Sequence, residues 1–187
     1  MNLIHQWLCR SDGWRQRVES EIMPWVLKDV DLGRDVLEVG PGPGVTTDWL
    51  QPRVPHLTCV EVDGKYADAL ARRMAGRNVK VLHQDASAMS LPPASFDAAV
   101  CCTMLHHVPS AELQDRLLAS VARVLRPGGV FAGIDSRYSA RFRMLHLFDT
   151  MVVVDPETFP ARLKAAGFTD IRIDANDRAF RFRARTA

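Results

Sequence analysis

The segment Val36-Leu37-Glu38-Val39-Gly40-Pro41-Gly42-Pro43-Gly44 constrains the fold more than any other part of the chain. An apolar run carrying a single acid reads as a parallel strand buried on both faces. It breaks into three glycines at alternate positions, which let the backbone turn sharply and come bare against a ligand. Val45-Thr46-Thr47-Asp48-Trp49-Leu50 then opens a helix whose first N–H groups lack partners inside the helix and face that ligand. Strand, glycine loop and helix N-terminus together predict a nucleotide-type cofactor site.

Glycine spacing narrows the cofactor. A dinucleotide fingerprint has the form G-x-G-x-x-G, which from Gly40 and Gly42 requires a glycine at position 45. Val45 stands there, and the third glycine is Gly44. The acid Glu38 immediately before the loop also departs from the dinucleotide pattern. The run E-V-G-P-G-P-G resembles instead the first motif of class I S-adenosylmethionine (SAM) dependent methyltransferases, (D/E)-x-G-x-G-x-G.

Ordered matches continue downstream. Leu57-Thr58-Cys59-Val60-Glu61-Val62 reads as a second strand ending on an acid about 20 residues past the loop, the place for a carboxylate that accepts from both ribose hydroxyls. Asp63 competes with Glu61, being two positions on and therefore on the same strand face. Glu61 is preferred because it aligns with the family's acid and Asp63 falls where the next helix begins. Val79–His83 forms a third strand leaving through Gln84-Asp85-Ala86, and Phe96–Cys102 a fourth leaving through Thr103-Met104-Leu105-His106-His107-Val108. F-D followed by L-H-H-V, and later Leu125-Arg126-Pro127-Gly128-Gly129 ending a helix before strand Val130–Ile134, are again similar to small-molecule methyltransferases. The resemblance covers about residues 35–175.

Composition sets bounds. At 187 residues the chain suits one domain with a full core; the resemblance implies residues 1–30 as an N-terminal helical lid and 35–187 as the cofactor-binding core. A net charge of +2 creates no strong polyanion-attracting field. Cys9, Cys59, Cys101 and Cys102 include no C-x-x-C pair and read as core thiols of a reducing compartment. His5 and Gln6 interrupt the apolar residues of the first ten positions, so no export or membrane segment is expected, and the chain is placed in the cytoplasm.

Two helical pieces precede the first strand. Leu3, Ile4, Trp7 and Leu8 share one face; Trp14, Val18, Ile22 and Trp25 share another, capped by Ser11 and bent or ended by Pro24. A helix starts near Ser110 and repeats Leu113, Leu117, Val121 and Leu125. Asp155 is expected to cap a helix beginning at Pro156 and stopped by Gly167. Asp170–Asp174 and Ala179–Ala184 alternate cleanly around the turn signal Asn176-Asp177 and predict an antiparallel hairpin. Alternating strands and helices imply an α/β fold with a parallel sheet covered on both faces; the resemblance implies a Rossmann-like, doubly wound, seven-stranded sheet, mostly parallel, whose last strand runs antiparallel beside strand five.

Ligands in such sheets lie beyond the carboxyl ends of the strands. The resemblance implies SAM as cofactor, contacted by Glu38, Gly40, Gly42, Gly44, Glu61, Asp85, Ala86, Thr103 and His107. In it Asp85 accepts from the adenine amine and His107 neighbours the methionine part. Methyl transfer from a sulfonium chiefly needs alignment of nucleophile, methyl and sulfur. A weak nucleophile also needs a base, and His106 is the candidate; the bland alternative is an imidazole that only shapes the pocket. Residues do not recur at metal-ligand spacing, so no metal is expected. Trp7 and Trp14 are candidates for covering a flat acceptor, or else form the packing stripe of amphipathic helices. Arg137, Tyr138 and Arg141 form the other wall, where arginines suit an acidic group or a solvated face.

The reading is thus a SAM-dependent methyltransferase acting on a small molecule. RNA methylation and non-catalytic SAM binding are the rivals. Arg181, Arg183 and Arg185 share one strand face that could track phosphates, but no RNA-binding module accompanies them and nucleic acid is not the expected partner. An N-P-P-Y motif for a flipped base is missing after strand four. Acceptor atom and oligomeric state are not specified by the pattern.

Overall fold

In a computed structural model of the protein, described for residues 11–147 and 149–187, the apolar run around Glu38 becomes an interior strand of one sheet. The strands are β1 (Asp35–Val39), β2 (His56–Glu61), β3 (Val79–His83), β4 (Phe96–Cys102), β5 (Leu125–Ser136), β6 (Phe168–Ala175) and β7 (Ala179–Thr186). Their spatial order is β3-β2-β1-β4-β5-β7-β6. β1 to β5 pair in parallel, whereas β7 lies antiparallel between β5 and β6. This is the expected doubly wound sheet with its inserted antiparallel strand.

Alternation along β1 sends Leu37 and Val39 to one core and Val36 to the other. The first core is covered by α5 (Ala111–Val124) and α7 (Phe159–Ala165), and buries Phe131, Phe159, Phe180 and Phe182 edge to face. The second is covered by α3 (Val45–Leu50), α4 (Gly64–Arg73) and the N-terminal helical segment.

That N-terminal segment is α1 (Asp12–Arg17), a π-helical turn Val18–Ile22, and α2 (Met23–Val26). Ser11 caps it by accepting from the Trp14 N–H, as expected. Pro24 does not end the segment. Lacking an N–H and crowding the carbonyl four residues earlier, a proline is accommodated when the turn before it widens. Val18, Ile22, Met23 and Val26 bury against the sheet. The first expected helical piece, with Leu3, Ile4, Trp7 and Leu8, lies outside the described residues.

Two sequence expectations shift. α7 starts at Phe159 rather than Pro156, with Asp155 instead accepting from the Glu157 N–H in a preceding turn. The reason is Pro160: in the first turn its missing N–H costs nothing, but a helix begun at Pro156 would place it inside. The L-R-P-G-G run does not end a helix either. α5 stops at Val124, and Leu125 already pairs with Phe96 before the register shifts to Ala98–Val130. Arg126 uses that irregular start to bridge two strands, pairing with Asp97 and, at 3.0 Å, with Asp35.

Arg181, Arg183 and Arg185 do share a face, but it is occupied by structural contacts. Arg181 donates to the Trp25 carbonyl and pairs with Asp174; Arg183 donates to Asp29 O at 3.0 Å and Arg185 to Gly128 O at 2.8 Å. The stripe clamps β7 to its neighbours, which removes the phosphate-tracking argument.

Candidate functional site

The carboxyl ends of β1, β2, β4 and β5 open on one cleft of about 1830 Å³. Pockets for a single drug-sized ligand measure roughly 300–1,000 Å³, so the cleft has room for a cofactor and a second molecule. Gly40, Gly42, Glu61, Asp85, Ala86, Thr103, His106 and His107 all line it, as do Trp14, Arg137 and Arg141. Gly44, Glu38 and Tyr138 do not, and Trp7 lies outside the described residues.

The glycine loop is held from behind. Gly44 adopts φ +83° at the start of α3, and a Cβ there would stand 2.5 Å from Leu70 Cδ1. An L side chain is thus strained by conformation and would have to displace the ends of the Leu70 and Arg73 side chains. Arg73 on α4 braces the loop, donating to Pro43 O and Gly44 O at 3.1 Å each and pairing with Asp48. Glu38 sits one layer below: 2 % exposed, it accepts from Thr46 and from Thr47 Oγ1 at 2.6 Å. Burial pushes its carboxyl up, against the pull of the threonine hydroxyls and the Cys59 thiol. Glu38 therefore ties β1 to the first turn of α3 and shapes the loop without reaching the cleft.

Glu61 and Asp63 separate clearly. Glu61 closes β2 with its Oε2 accepting from the Gly42 N–H at 2.8 Å and its Oε1 from the Asp63 N–H at 3.0 Å. A carboxylate offers about four lone-pair sites, so about two are left for a ligand beside the glycine loop. Asp63 instead caps α4, accepting from Lys65 N at 2.8 Å and Tyr66 N at 3.3 Å. Asp85 has a similar local bond, one oxygen accepting from Ser87 N at 2.8 Å, and its side chain is exposed at the cleft edge. Thr103 holds φ +51°, a left-handed conformation costing a β-branched residue about 1–3 kcal/mol; its N–H donates to Ile134 O at 2.8 Å, fixing the exit of β4.

A buried dyad lies at the cleft floor. Asp135, at the end of β5 and fully buried, accepts from His106 Nδ1 at 2.5 Å, His106 N at 3.1 Å and Ser136 N at 2.6 Å. Three donors fit an ionised carboxylate. It fixes the imidazole with a proton on Nδ1 and a lone pair on Nε2. That Nε2 is buried without a hydrogen-bond partner among the described residues, which costs about 1–3 kcal/mol until something fills the place. His107 and His146 stand beside His106, their ring centroids 4.2 Å and 5.0 Å from its own. Burial depresses His146, against the lift from the Phe142 carbonyl that its Nδ1 contacts at 2.8 Å.

Sequence reasoning missed Asp135, His146 and Arg73. Asp135 carried a usable signal, an acid directly after the apolar run Val130–Ile134. His146 lies 40 residues from His106 and had none, so the expectation of no metal-ligand set was blind to it. Arg137 is already partly engaged, donating to Asn176 O at 2.9 Å. Tyr138 is 60 % exposed and does not line the cleft.

Residues 36–129 match a family model described as a methyltransferase domain. An uncharacterized methyltransferase of Mycobacterium tuberculosis is 34% identical over 104 residues, 55% of this chain and 51% of that protein. A ubiquinone biosynthesis O-methyltransferase of Dechloromonas aromatica is 28% identical over 109 residues, 56% of this chain and 46% of the other. The chain thus spans about half the length of these relatives. Among solved structures, the N-methyltransferase NodS from Bradyrhizobium japonicum, in complex with S-adenosyl-L-homocysteine, has a TM-score of 0.73 at 17% identity, covering 96% of this chain and 91% of its own; at that identity the likeness concerns the fold. The matched region holds the glycine loop, Glu61 and the His106–His107 turn, and the chain belongs to the class I SAM-dependent methyltransferase family.

Proposed function

We propose that the protein transfers a methyl group from SAM to a small-molecule acceptor and releases S-adenosylhomocysteine. The observation that carries this reading is Glu61, locked by two backbone N–H groups at the lip of a left-handed glycine loop with acceptor capacity left for two ribose hydroxyls. Asp85 and Ala86 suit the adenine end, and Thr103 and His107 the methionine end. The relative named for O-methylation in ubiquinone biosynthesis supports a small acceptor. The structural use of the C-terminal arginines counts against RNA, and the intact loop against a protein that has lost cofactor binding.

When bound, SAM supplies an electrophilic methyl whose leaving group is a neutral thioether. The chain's own residues hold it in line and keep water out. His106 Nε2 would take the proton of an acceptor O–H or N–H as that group is methylated. Asp135 stabilises the imidazolium so formed, a base contribution of about 10²- to 10⁴-fold. Trp14, Trp25 and Phe142 give the acceptor region apolar walls, with Arg141 available to an acidic substituent. Residues 1–30 act as the lid over a single catalytic unit. We further assign the protein to the cytoplasm: Cys59, Cys101 and Cys102 are free thiols, and no helix among the described residues is long and apolar enough to cross a membrane.

The test is turnover. Incubation with methyl-deuterated SAM and a panel of phenols, amines and carboxylic acids, read by mass spectrometry, should label at least one small acceptor. Labelling of structured RNA alone would transfer the assignment to the rival substrate, and labelling of neither would favour the non-catalytic one.

A further inference from the structure

Three imidazoles meet at the floor of the cleft, and the methyl-transfer reading uses them unequally. His106 and His107 belong to the short turn after β4; His146 follows α6 (Ala140–Leu145), which Ser139 caps. Their ring centroids are separated by 4.2, 5.0 and 5.3 Å, and one ring nitrogen from each lies within 4.8 Å of the others. Hydrogen bonding decides which nitrogen two of them present. Asp135 holds the Nδ1–H of His106, and the Phe142 carbonyl, which can only accept, holds the Nδ1–H of His146. In both rings the lone pair is therefore on Nε2, and the Nε2 of His106 is buried with no hydrogen-bond partner among the described residues.

Imidazoles whose outer nitrogens are pinned by a buried carboxylate and a backbone carbonyl match the second layer found around metal-bound histidines, where such bonds fix the tautomer and raise the basicity of the ligating nitrogen. We propose that His106, His107 and His146 bind one divalent transition ion of the zinc class, with Asp135 as the supporting carboxylate and the open cleft as the fourth position. All-nitrogen ligation selects zinc, cobalt, nickel or copper over magnesium or calcium, which take oxygen. A tetrahedral site with metal–nitrogen bonds of 2.0–2.1 Å needs ligand atoms about 3.3 Å apart. The three ligand atoms must draw in by up to roughly 1.5 Å from their 4.8 Å limit, with the half-buried His107 turning and the His106 and His146 rings shifting on their hydrogen bonds to Asp135 and the Phe142 carbonyl.

The site has a consequence for the proposed methyl transfer, and this part rests on that reading. His106 Nε2 has one lone pair. It can take an acceptor's proton or bind the metal, not both, so occupancy by zinc inhibits and chelation restores activity.

The experiment uses the full chain without a histidine tag, stripped with a chelator and dialysed. Cobalt(II) is the probe, because its visible absorption intensifies on four-coordinate binding. One equivalent should saturate, and zinc but not magnesium should displace it. His146→Phe and, separately, His107→Asn should each weaken binding at least a hundredfold, and Asp135→Asn about 10- to 100-fold. Circular dichroism and a cooperative urea-unfolding transition verify that each variant is folded. No stoichiometric cobalt binding by the wild type, or undiminished binding by both histidine variants, would overturn the site. Stimulation of turnover by zinc would overturn the exclusivity while leaving the site in place. Cobalt binding by a protein that methylates nothing would instead remove the methyl-transfer reading alone.

Discussion

Exchanging Glu61 and Asp63 in turn separates two acids that a sequence places on the same strand face. Glu61 already accepts one backbone N–H on each oxygen, from Gly42 and Asp63. Two ribose hydroxyls would complete the roughly four acceptor sites of a carboxylate. Hydrogen bonds to a charged group contribute about 1.5–3 kcal/mol each, with water recovering part of the loss when they are removed. Glu61→Gln keeps the volume but turns an amide toward one N–H group and discards the charge. SAM affinity should fall at least tenfold and by as much as about a hundredfold, that is roughly 1.4–2.8 kcal/mol. Asp63→Ala removes an N-cap with two N–H contacts on α4, which costs about 0.5–2 kcal/mol of stability. Its SAM affinity should stay within about threefold of wild type on the same reasoning, and Asp63→Asn should restore the stability because asparagine caps as well as aspartate. Calorimetric titration gives the affinities and urea unfolding the stabilities. If Asp63→Ala lost the affinity and Glu61→Gln kept it, the ribose assignment and the lone-pair count behind it would both be wrong.

Other outcomes follow from particular contacts. The Arg126 guanidinium holds Asp35 below its ordinary 3.8; Asp97, although burial raises it, is pulled below the same value by the Asp35 and Arg34 N–H groups and by Arg126. Depressed carboxyls add stability that is present above about pH 3.8 and lost as pH falls through their folded values. The stability gap between wild type and Arg126→Gln should therefore be widest at pH 7 and close on acidification below about 3.8; a gap independent of pH in urea titrations would refute the network. Gly133→Ala puts a methyl group against the Cys101 carbonyl and 2.5 Å from Phe182 Cζ. It should cost about 1–3 kcal/mol, each kcal/mol lowering the melting temperature by about 2–4 °C, and an unchanged melting temperature would contradict the packing of β5. Once an acceptor is known, His106→Gln should slow single turnover at least tenfold with SAM affinity nearly intact. Unchanged single-turnover rates would reduce His106 to a shaping residue.

What the sequence revealed and what it hid divide along a physical line. The glycine loop, the Ser11 and Ser110 caps and the Asn176 turn were legible because each is made by residues within a few positions of one another, and Glu61 because it falls about 20 residues past the loop, where the family has its acid. Strand order followed from alternating elements and the family likeness. Hidden were pairs made by the sheet itself. Asp135 meets His106 because β4 and β5 run side by side, with Cys102 opposite Ile134, so their exits coincide. Arg73 reaches the glycine loop only after α4 packs beside it, and Arg126 finds Asp35 across two strands. The late start of α7 was readable from Pro160, whereas the π-helical turn before Pro24 was not, since several local distortions can accommodate a proline.

Thermal unfolding with and without SAM tests the central claim most directly. A ligand that binds only the native state at about 100 times its dissociation constant adds roughly 2.7 kcal/mol, so SAM or S-adenosylhomocysteine should raise the melting temperature by several degrees, and the Glu61→Gln variant should need at least ten times more of either to match it. NAD, whose glycine pattern this loop does not follow, should give no comparable shift. A clear shift with NAD and none with SAM would contradict the account at its base.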